Sequence, residues 1–116
     1  MTDLPITARG RYGTATFDGT FVTLTRSRTG RLLTGSTEKR FHIRNISGIN
    51  FKPASALFLG RIEFTLPGAV ERRSRSAGSR SRTAIEDENA MTFPKAANVE
   101  FRELKDAVYA AQAEIL

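Results

Sequence analysis

The sequence contains no cysteine, and that absence removes several classes of protein at once. A disulfide-stapled scaffold, a thiolate zinc site and a cysteine nucleophile all need thiols. The chain also lacks any apolar run long enough to cross a bilayer, and its first residues lack the basic and apolar regions of a secretory signal. These absences predict a cytoplasmic protein.

The composition is typical of a globular domain. The 116 residues are 40% hydrophobic and 26% charged, and they include eight phenylalanines. A chain of this length can bury about two-thirds of the surface that its unfolded form exposes, which suffices for one modest core. We therefore expect a single domain over residues 1–116.

Positive charge dominates the first part of the chain. Eighteen Lys and Arg residues face twelve Asp and Glu residues, for a net charge of +6, and fourteen of the cations are arginine. Residues 1–82 hold fifteen cations and five anions, whereas residues 83–116 hold three cations and seven anions. The net charges of +10 and −4 predict a molecule with a basic side and an acidic side. Such asymmetry bears on partners and solubility rather than on the fold.

Apolar and polar residues alternate through the first two-thirds of the chain, which predicts β-strands. The strands are expected at about 13–17, 21–26, 38–44, 46–52, 58–66, 83–86 and 89–93. Asp18-Gly19 joins the first two of them, because these residue types suit the positive φ angles of a two-residue hairpin turn. The odd spacing of Ile46 and Ile49 predicts a bulge near Gly48.

Two of these strands indicate which side chains should face solvent. The outward-facing set of the third strand is Arg40, His42 and Arg44. The outward-facing set of the fifth strand is Arg61, Glu63 and Thr65. The residues between them are apolar and are expected to face the core.

Beyond Pro94 the apolar period changes to that of an amphipathic helix over about 97–115. Its apolar positions, spaced alternately by four and three residues, are Ala97, Phe101, Leu104, Val108, Ala111 and Ile115. Asn98 is the expected N-cap of this helix. Six or seven antiparallel strands followed by one terminal helix predict an α+β fold.

A series of short motifs occurs in a fixed order along the chain. They are Gly13…Phe17-Asp18-Gly19…Val22…Leu24…Arg26, Ile46…Ile49, Lys52-Pro53-Ala54, Leu59-Gly60-Arg61-Ile62…Phe64 and Asn89-Ala90-Met91-Thr92-Phe93. The ordered set resembles an uncharacterised bacterial family with a pleckstrin-homology-like fold, and the resemblance spans about residues 9–112. It implies a bent antiparallel β-sandwich or partly open barrel of seven strands, capped by the C-terminal helix.

The resemblance also bears on function. Pleckstrin-homology-like domains bind phosphoinositides, peptides or other proteins, and some bacterial relatives assemble into rings, whereas this family has no assigned activity. Phosphoinositide-binding members hold the headgroup with cations in and beside a long first hairpin loop. The corresponding connection here is taken to be Asp18-Gly19, which carries no cation. The usual headgroup site is therefore expected to be missing.

Catalytic residues are scarce in the sequence. The one histidine, His42, lies between Arg40 and Arg44 with no orienting carboxylate or nucleophilic serine at a readable spacing. The acidic run 86–89 lacks the ligand spacing of a calcium loop, and no glycine-rich phosphate loop is present. We therefore expect a protein that is not an enzyme, with no metal, no cofactor and no small-molecule substrate.

The most distinctive segment is the run 72–82, in which eleven residues include five arginines and four serines. Nothing in it can bury an apolar face, so a mobile loop over about 69–82 is expected between strands. Such a loop either stays solvated without a partner or contacts an anionic partner. The candidate contact residues are Arg72, Arg73, Arg75, Arg80, Arg82, Arg40 and Arg44.

These features predict a protein-interaction module, and a second copy of the chain is one possible partner. The apolar stripe of the helix is expected to be core, although Tyr109, Ile115 and Leu116 are also placed to meet another chain. A basic loop and an acidic helix suit a head-to-tail contact between copies. Two alternatives stay open, namely nucleic-acid binding and attachment to an anionic membrane, each through the arginine-rich loop.

Overall fold

The computed structural model describes residues 4–27, 38–67 and 89–115, and these ranges form an α+β fold. The strands are β1 (Ile6–Arg9), β2 (Gly13–Phe17), β3 (Phe21–Arg26), β4 (Glu38–His42), β5 (Gly48–Lys52), β6 (Gly60–Thr65) and β7 (Ala90–Phe93). Two short 3-10 helices cover Ile43–Asn45 and Lys95–Ala97, and the helix α1 covers Asn98–Ile115. The predicted sixth strand at 83–86 and the predicted loop at 69–82 lie outside the described residues.

The strands form two antiparallel sheets. The first has the order β1-β2-β3-β4 and the second the order β5-β6-β7. The alternation that predicted β2 and β3 is confirmed, because Ala15, Phe17, Val22 and Leu24 are buried. The connection between β2 and β3 is a turn in which Gly19 has a φ of +104°, a conformation that suits glycine.

The first 3-10 helix carries the chain from one sheet to the other, and it corrects the predicted length of the third strand. β4 ends at His42, because the imidazole Nδ1 of His42 accepts a hydrogen bond from the Arg44 amide at 3.0 Å and bends the chain. Ile43, which begins the 3-10 helix, and Ile46, which follows it, are both buried. The Ser47 amide then donates to the Thr65 carbonyl at 2.7 Å, although Thr65 is the register partner of Gly48. Ser47 and Gly48 therefore both oppose Thr65, which is the arrangement of a β-bulge and agrees with the prediction from the odd apolar spacing.

The core lies between the two sheets and α1. Phe93 stacks almost parallel on Phe101 with a centroid distance of 4.2 Å, and the Phe51 ring lies 5.8 Å from Phe93, also stacked. Phe101, Leu104 and Val108 are fully buried, so the predicted apolar stripe of the helix is confirmed over these positions. Each such side chain contributes roughly 1.5–3 kcal/mol by leaving water. Ile115 does not join the core, since it is 44% exposed.

The sequence-based prediction missed the first strand. β1 pairs with β2 in register from Ile6 opposite Phe17 to Arg9 opposite Thr14. Only two apolar side chains, Ile6 and Ala8, mark this four-residue strand, which is too short for a periodic signal. The hairpin at Asp18 is therefore the second of the fold and not the first.

Two further predictions about single residues were wrong. Asn98 is not an N-cap: it has helical angles, φ −53° and ψ −44°, because the second 3-10 helix runs directly into α1. Glu63 does not face solvent, since it is only 4% exposed and forms an ion pair with Arg61 at 3.1 Å. Sequence alternation assigns a side chain to a face, but it does not show whether that face is covered.

Candidate interaction surface

The connection between β5 and β6 presents three consecutive apolar side chains to solvent. Leu57 is 86% exposed, Phe58 is 70% exposed and Leu59 is also exposed. Ser55 shapes this turn locally: its amide donates to the Phe58 carbonyl at 2.8 Å, and its hydroxyl accepts from the Leu57 and Phe58 amides. We call Leu57, Phe58 and Leu59 the apolar tip. Side chains of this size usually lie in the interior of a small domain.

The base of the apolar tip is fixed from the helix. The Asn98 side chain accepts a hydrogen bond from the Ala54 amide at 2.8 Å and donates one to the Ala54 carbonyl at 2.9 Å. Gly60, on the other side of the tip, lies against the Phe93 ring and the Ala54 backbone so closely that a Cβ atom has no room there. The base of the tip is therefore held by contacts with α1 and β7.

Exposed cations lie at the same end of the molecule as the apolar tip, together with the Glu100 carboxylate, which accepts a hydrogen bond from the Arg9 amide at 3.2 Å. Lys52 and Arg61 are register partners at the base of the β5–β6 hairpin. The turn between β1 and β2 lies at the same end of the molecule, because the Arg11 amide donates to the Thr92 carbonyl at 2.8 Å. The exposed cations of this end are Arg9, Arg11, Lys52 and Lys95. We call it the basic end.

A half-open groove lies at the opposite end of α1, with a volume of about 380 Å³. Its lining residues are Ile43, Arg44, Ile46, Gln112 and Ile115. The Gln112 side chain donates hydrogen bonds to the carbonyls of Ile43 at 2.8 Å and Ile46 at 2.9 Å, which holds the first 3-10 helix against α1. We call this feature the C-terminal groove. Its walls are largely apolar, and Arg44 provides an exposed cation at its rim.

Tyr109 has an internal role at the outer edge of β5. Its hydroxyl lies 3.3 Å from both the amide and the carbonyl of Ile49, and these two backbone groups point away from β6. An unpaired strand edge invites pairing with another chain, and a side chain that occupies its backbone groups reduces that hazard. Arg102 and Lys105 of α1 lie over the Phe51 ring on the same strand.

The structure separates the two candidate contact residues that it describes, Arg40 and Arg44. Arg40 lies on β4, and its guanidinium is 4.0 Å from the centroid of the Phe21 ring on β3, an arrangement that favours a cation–π contact. Arg44 lies on the first 3-10 helix at the C-terminal groove, so the expectation that both share one strand face was wrong. His42 packs edge-on against Phe21 with a centroid distance of 5.1 Å, in addition to its bond with the Arg44 amide.

The turn at Asp18 is stabilised by its own carboxylate. One carboxylate oxygen accepts hydrogen bonds from the Phe21 amide at 2.7 Å and the Thr20 amide at 2.9 Å. These bonds, with a smaller contribution from the Arg40 charge, lower the pKa of Asp18 below its ordinary value of 3.8. The carboxylate is therefore ionised at neutral pH.

The remaining predicted features fall largely outside the described residues. The five arginines of the run 72–82 lie there, and so do Glu86, Asp87 and Glu88 of the acidic run. Asn89, the last residue of that run, is buried. Within 4–27, 38–67 and 89–115 no three His, Asp or Glu side chains converge as a metal site would require. The helix in these ranges is not apolar enough to cross a membrane.

The two features that dominate the described surface, the apolar tip and the C-terminal groove, were missed from the sequence. Phe58 and Leu59 were included in a predicted strand at about 58–66, although the three successive apolar residues 57–59 break the period-two alternation that a half-buried strand shows. The groove has no local signal, because it joins residues more than sixty positions apart.

The structure removes the reason for expecting no headgroup site. The first hairpin turn contains Arg11 and follows Arg9, both of them exposed. Asp18-Gly19 is the second hairpin turn of the fold. The absence of cations at Asp18-Gly19 therefore says nothing about the first hairpin.

The fold and this surface define an α+β domain with two antiparallel sheets, one C-terminal helix, a projecting apolar tip and a groove. The chain belongs to the family described as a domain of unknown function, DUF4429, which matches residues 15–109. No curated protein and no solved structure shows significant similarity to the chain.

Proposed function

We propose that this protein is a non-enzymatic interaction module with a pleckstrin-homology-like fold, and that it binds a protein partner through the apolar tip. The carrying observation is the exposure of Leu57 and Phe58 on a turn whose base is hydrogen-bonded to α1. A four-stranded sheet, a three-stranded sheet and a C-terminal helix, in that order, support the fold assignment. The apolar tip, and not the fold, indicates the function, because one fold hosts many functions.

The tip has the physical properties of an interface anchor. Leaving a Leu and a Phe in water forgoes roughly 1.5–3 kcal/mol for each side chain relative to its burial. Contacts of this kind dominate binding when they enter a pocket on the partner. The hydrogen bonds of Ser55 and Asn98 order the turn before any partner arrives, so binding loses little conformational entropy.

An anionic membrane is the second candidate partner, and one observation favours it. The apolar tip projects from the basic end, where Arg9, Arg11 and Lys52 are exposed. Apolar side chains among cations suit the interface of an anionic bilayer, where each cation contributes about 1 kcal/mol. Nucleic-acid binding through the run 72–82 gains no support from the described surface, because that run lies outside it.

Photo-crosslinking in the native cell tests the proposal. A benzophenone amino acid replaces Phe58 in one variant and Ala110, an exposed residue of α1, in another. We expect position 58 to give a discrete protein adduct that position 110 does not give. Adducts of equal yield at both positions, or adducts with lipid alone, would contradict a protein partner.

A matched pair of charge substitutions controls for folding and for charge. Leu57→Asp places a carboxylate in the apolar tip, and Ala56→Asp places one beside it in the same exposed turn. Combined with the crosslinker, Leu57→Asp should abolish the position-58 adduct and Ala56→Asp should retain it. Both substitutions should change the free energy of unfolding by less than about 0.5 kcal/mol, because both side chains are exposed.

A further inference from the structure

We propose that His42 is a pH-sensitive switch of the C-terminal groove: protonation of its imidazole releases the Arg44 amide and loosens the groove wall that contains Arg44. The starting observation is the hydrogen bond of 3.0 Å between the Arg44 amide and Nδ1 of His42. This inference concerns the groove and not the apolar tip, so it does not depend on the proposed function.

The imidazole makes this hydrogen bond only in its neutral form. A backbone amide is a donor, so Nδ1 accepts with its lone pair, and the one hydrogen of the neutral ring lies on Nε2. In the imidazolium form both ring nitrogens carry hydrogen and neither accepts. Protonation therefore sets an N–H of His42 against the N–H of Arg44 and removes the bond.

The bond lies at the bend between β4 and the first 3-10 helix. His42 is extended, with φ −73° and ψ 139°, and the chain turns directly after it. The Ile43 amide donates to the Thr20 carbonyl at 3.0 Å, and the Ile46 amide donates to the Ile43 carbonyl at 3.2 Å. Of these three amides, the Arg44 amide is the one bonded to a titratable side chain, so it is the one that responds to pH.

The released segment is part of the groove wall. Arg44 lies between Ile43 and Ile46, whose carbonyls accept hydrogen bonds from the Gln112 side chain at 2.8 and 2.9 Å. A carboxamide does not titrate, so α1 holds both ends of this wall whether or not His42 is protonated. The two exposed residues between the ends, Arg44 and Asn45, are left to move. Acidification therefore changes the groove and leaves the fold intact.

The positive charges beside His42 act in the same direction. Arg40 lies on the same face of β4, with its guanidinium over the Phe21 ring, and the imidazole packs edge-on against that ring. Arg44 follows His42 by two residues and is exposed. A proton on His42 adds a third positive charge to this stretch, and repulsion favours displacement of the Arg44 side chain.

The described carboxylates of the surrounding elements are Asp18 in the β2–β3 turn, Glu38 at the start of β4 and Glu114 of α1. The Asp18 carboxylate accepts the Thr20 and Phe21 amides. Carboxylates ordinarily change charge around pH 4, whereas histidine does so between about pH 5 and pH 8. Because His42 is the one histidine of the chain, a measurement in the upper range reports on it without titrating these carboxylates.

NMR of the full chain between about pH 8 and pH 5 is the test. At pH 8 we expect the imidazole hydrogen on Nε2 and none on Nδ1. As the ring takes up its proton, the Arg44 amide resonance should move with it. Protection of this amide from hydrogen exchange should fall by roughly 2- to 10-fold, the value of one exposed hydrogen bond. The methyl resonances of Ile43 and Ile46 should follow, whereas the Ala54 amide, bonded to Asn98, should not.

Two substitutions separate the acceptor from the proton. His42→Asn supplies a carboxamide oxygen that accepts at every pH, in a position where asparagine commonly bonds to the amide two residues on. It should keep the Arg44 amide protected from pH 8 to pH 5. His42→Ala has no acceptor and should show the low protection throughout. Arg40→Gln removes the neighbouring charge and leaves the acceptor in place, so it should retain the pH response.

The inference is overturned by hydrogen on Nδ1 at pH 8, by an Arg44 amide that does not follow the imidazole, or by a pH response that persists in His42→Asn. An Arg44 response without any change in the Ile43 and Ile46 methyls would also overturn it, because the groove would then be insensitive to the switch. If His42→Ala does not fold, the native chain and His42→Asn still decide. None of these outcomes bears on the position-58 adduct, so the proposed function is judged separately.

Discussion

The two ends of α1 use the same device and produce opposite shapes. At its start, the carboxamide of Asn98 bonds to the amide and the carbonyl of Ala54. Near its end, the carboxamide of Gln112 donates to the carbonyls of Ile43 and Ile46. The first contact supports a projecting turn, whereas the second borders a recess.

The difference arises from what each carboxamide anchors. Asn98 binds both backbone groups of one residue, so the chain on either side is free to bend away, and Ser55 closes it into the apolar tip. Gln112 binds two carbonyls three residues apart, which fixes a 3-10 turn alongside the helix and leaves a gap beside it. Carboxamide contacts of this kind therefore determine where a loop lies, and not whether it protrudes.

The two ends also differ in how firmly they join the core. At the start of α1, Phe101 stacks on Phe93, and Gly60 lies against the same ring. At the end, the last apolar residue of the helical stripe that the structure describes, Ile115, is nearly half exposed. We therefore expect the start of α1 to be held more firmly than its end.

The largest expected effect is a difference in the free energy of unfolding between substitutions at the two ends of the helical stripe. Phe101→Ala should lower the free energy of unfolding by about 3–5 kcal/mol, because it removes a fully buried ring from the aromatic stack. Ile115→Ala should change it by less than about 0.5 kcal/mol. Urea denaturation of both variants measures the contrast. Similar losses at the two positions would mean that the ends are equally well anchored.

An intermediate effect concerns the two carboxamides. Asn98→Ala leaves the partly buried amide and carbonyl of Ala54 unpaired and should cost about 1–3 kcal/mol. Gln112→Ala should cost about 1 kcal/mol or less, since the carbonyls it releases border an open groove that water can enter. Urea denaturation, with hydrogen exchange of the Ala54 amide, reads both out. A larger loss for Gln112→Ala would reverse the comparison.

The smallest expected effect is a pH dependence of stability at Asp18. The turn that contains Asp18 lies at the groove end, because its Thr20 carbonyl accepts a hydrogen bond from the Ile43 amide. The lowered pKa of Asp18 means that its carboxylate stabilises the fold above pH 3.8, and that this contribution is lost as the pH falls through the folded-state pKa. Asp18→Asn should therefore flatten the pH dependence of stability below about pH 4, by less than about 1 kcal/mol because the group is exposed. Urea midpoints across this range measure it.

If the stability of Asp18→Asn falls at acid pH as much as that of the native chain, other carboxylates cause the fall. Local exchange rates refine the outcome. The amides of Thr20 and Phe21, which bond to the Asp18 carboxylate, should lose protection on acidification, whereas the Ala54 amide should not.

Much of the fold could be predicted from local patterns. β2, β3 and the helix were located within one residue, because each carries a sustained apolar period and a clear turn or proline at its boundary. β1 was missed because four residues carry too few apolar positions to show a period. The end of β4 was placed too late, since a ring nitrogen of His42 and not a sequence breaker ends it.

The candidate surface was predicted poorly for a physical reason. Asn98 looks like an N-cap in sequence because asparagine often precedes helices, whereas its partner Ala54 is forty-four positions away. Glu63 occupies an outward strand position, yet it is buried. Arg40 and Arg44 were assigned to one face, and the change from strand to 3-10 helix between them separated them.

The sequence by itself determined the fold class, the strand periods, the apolar stripe of the helix and the excess of positive charge. These properties depend on residues within a few positions of one another, and hydrophobic burial enforces them along each element. Tertiary structure alone decided that the base of the apolar tip is bonded to the start of α1 and that a groove opens near its end. Both depend on carboxamide contacts with backbone groups of distant residues, which no local pattern encodes.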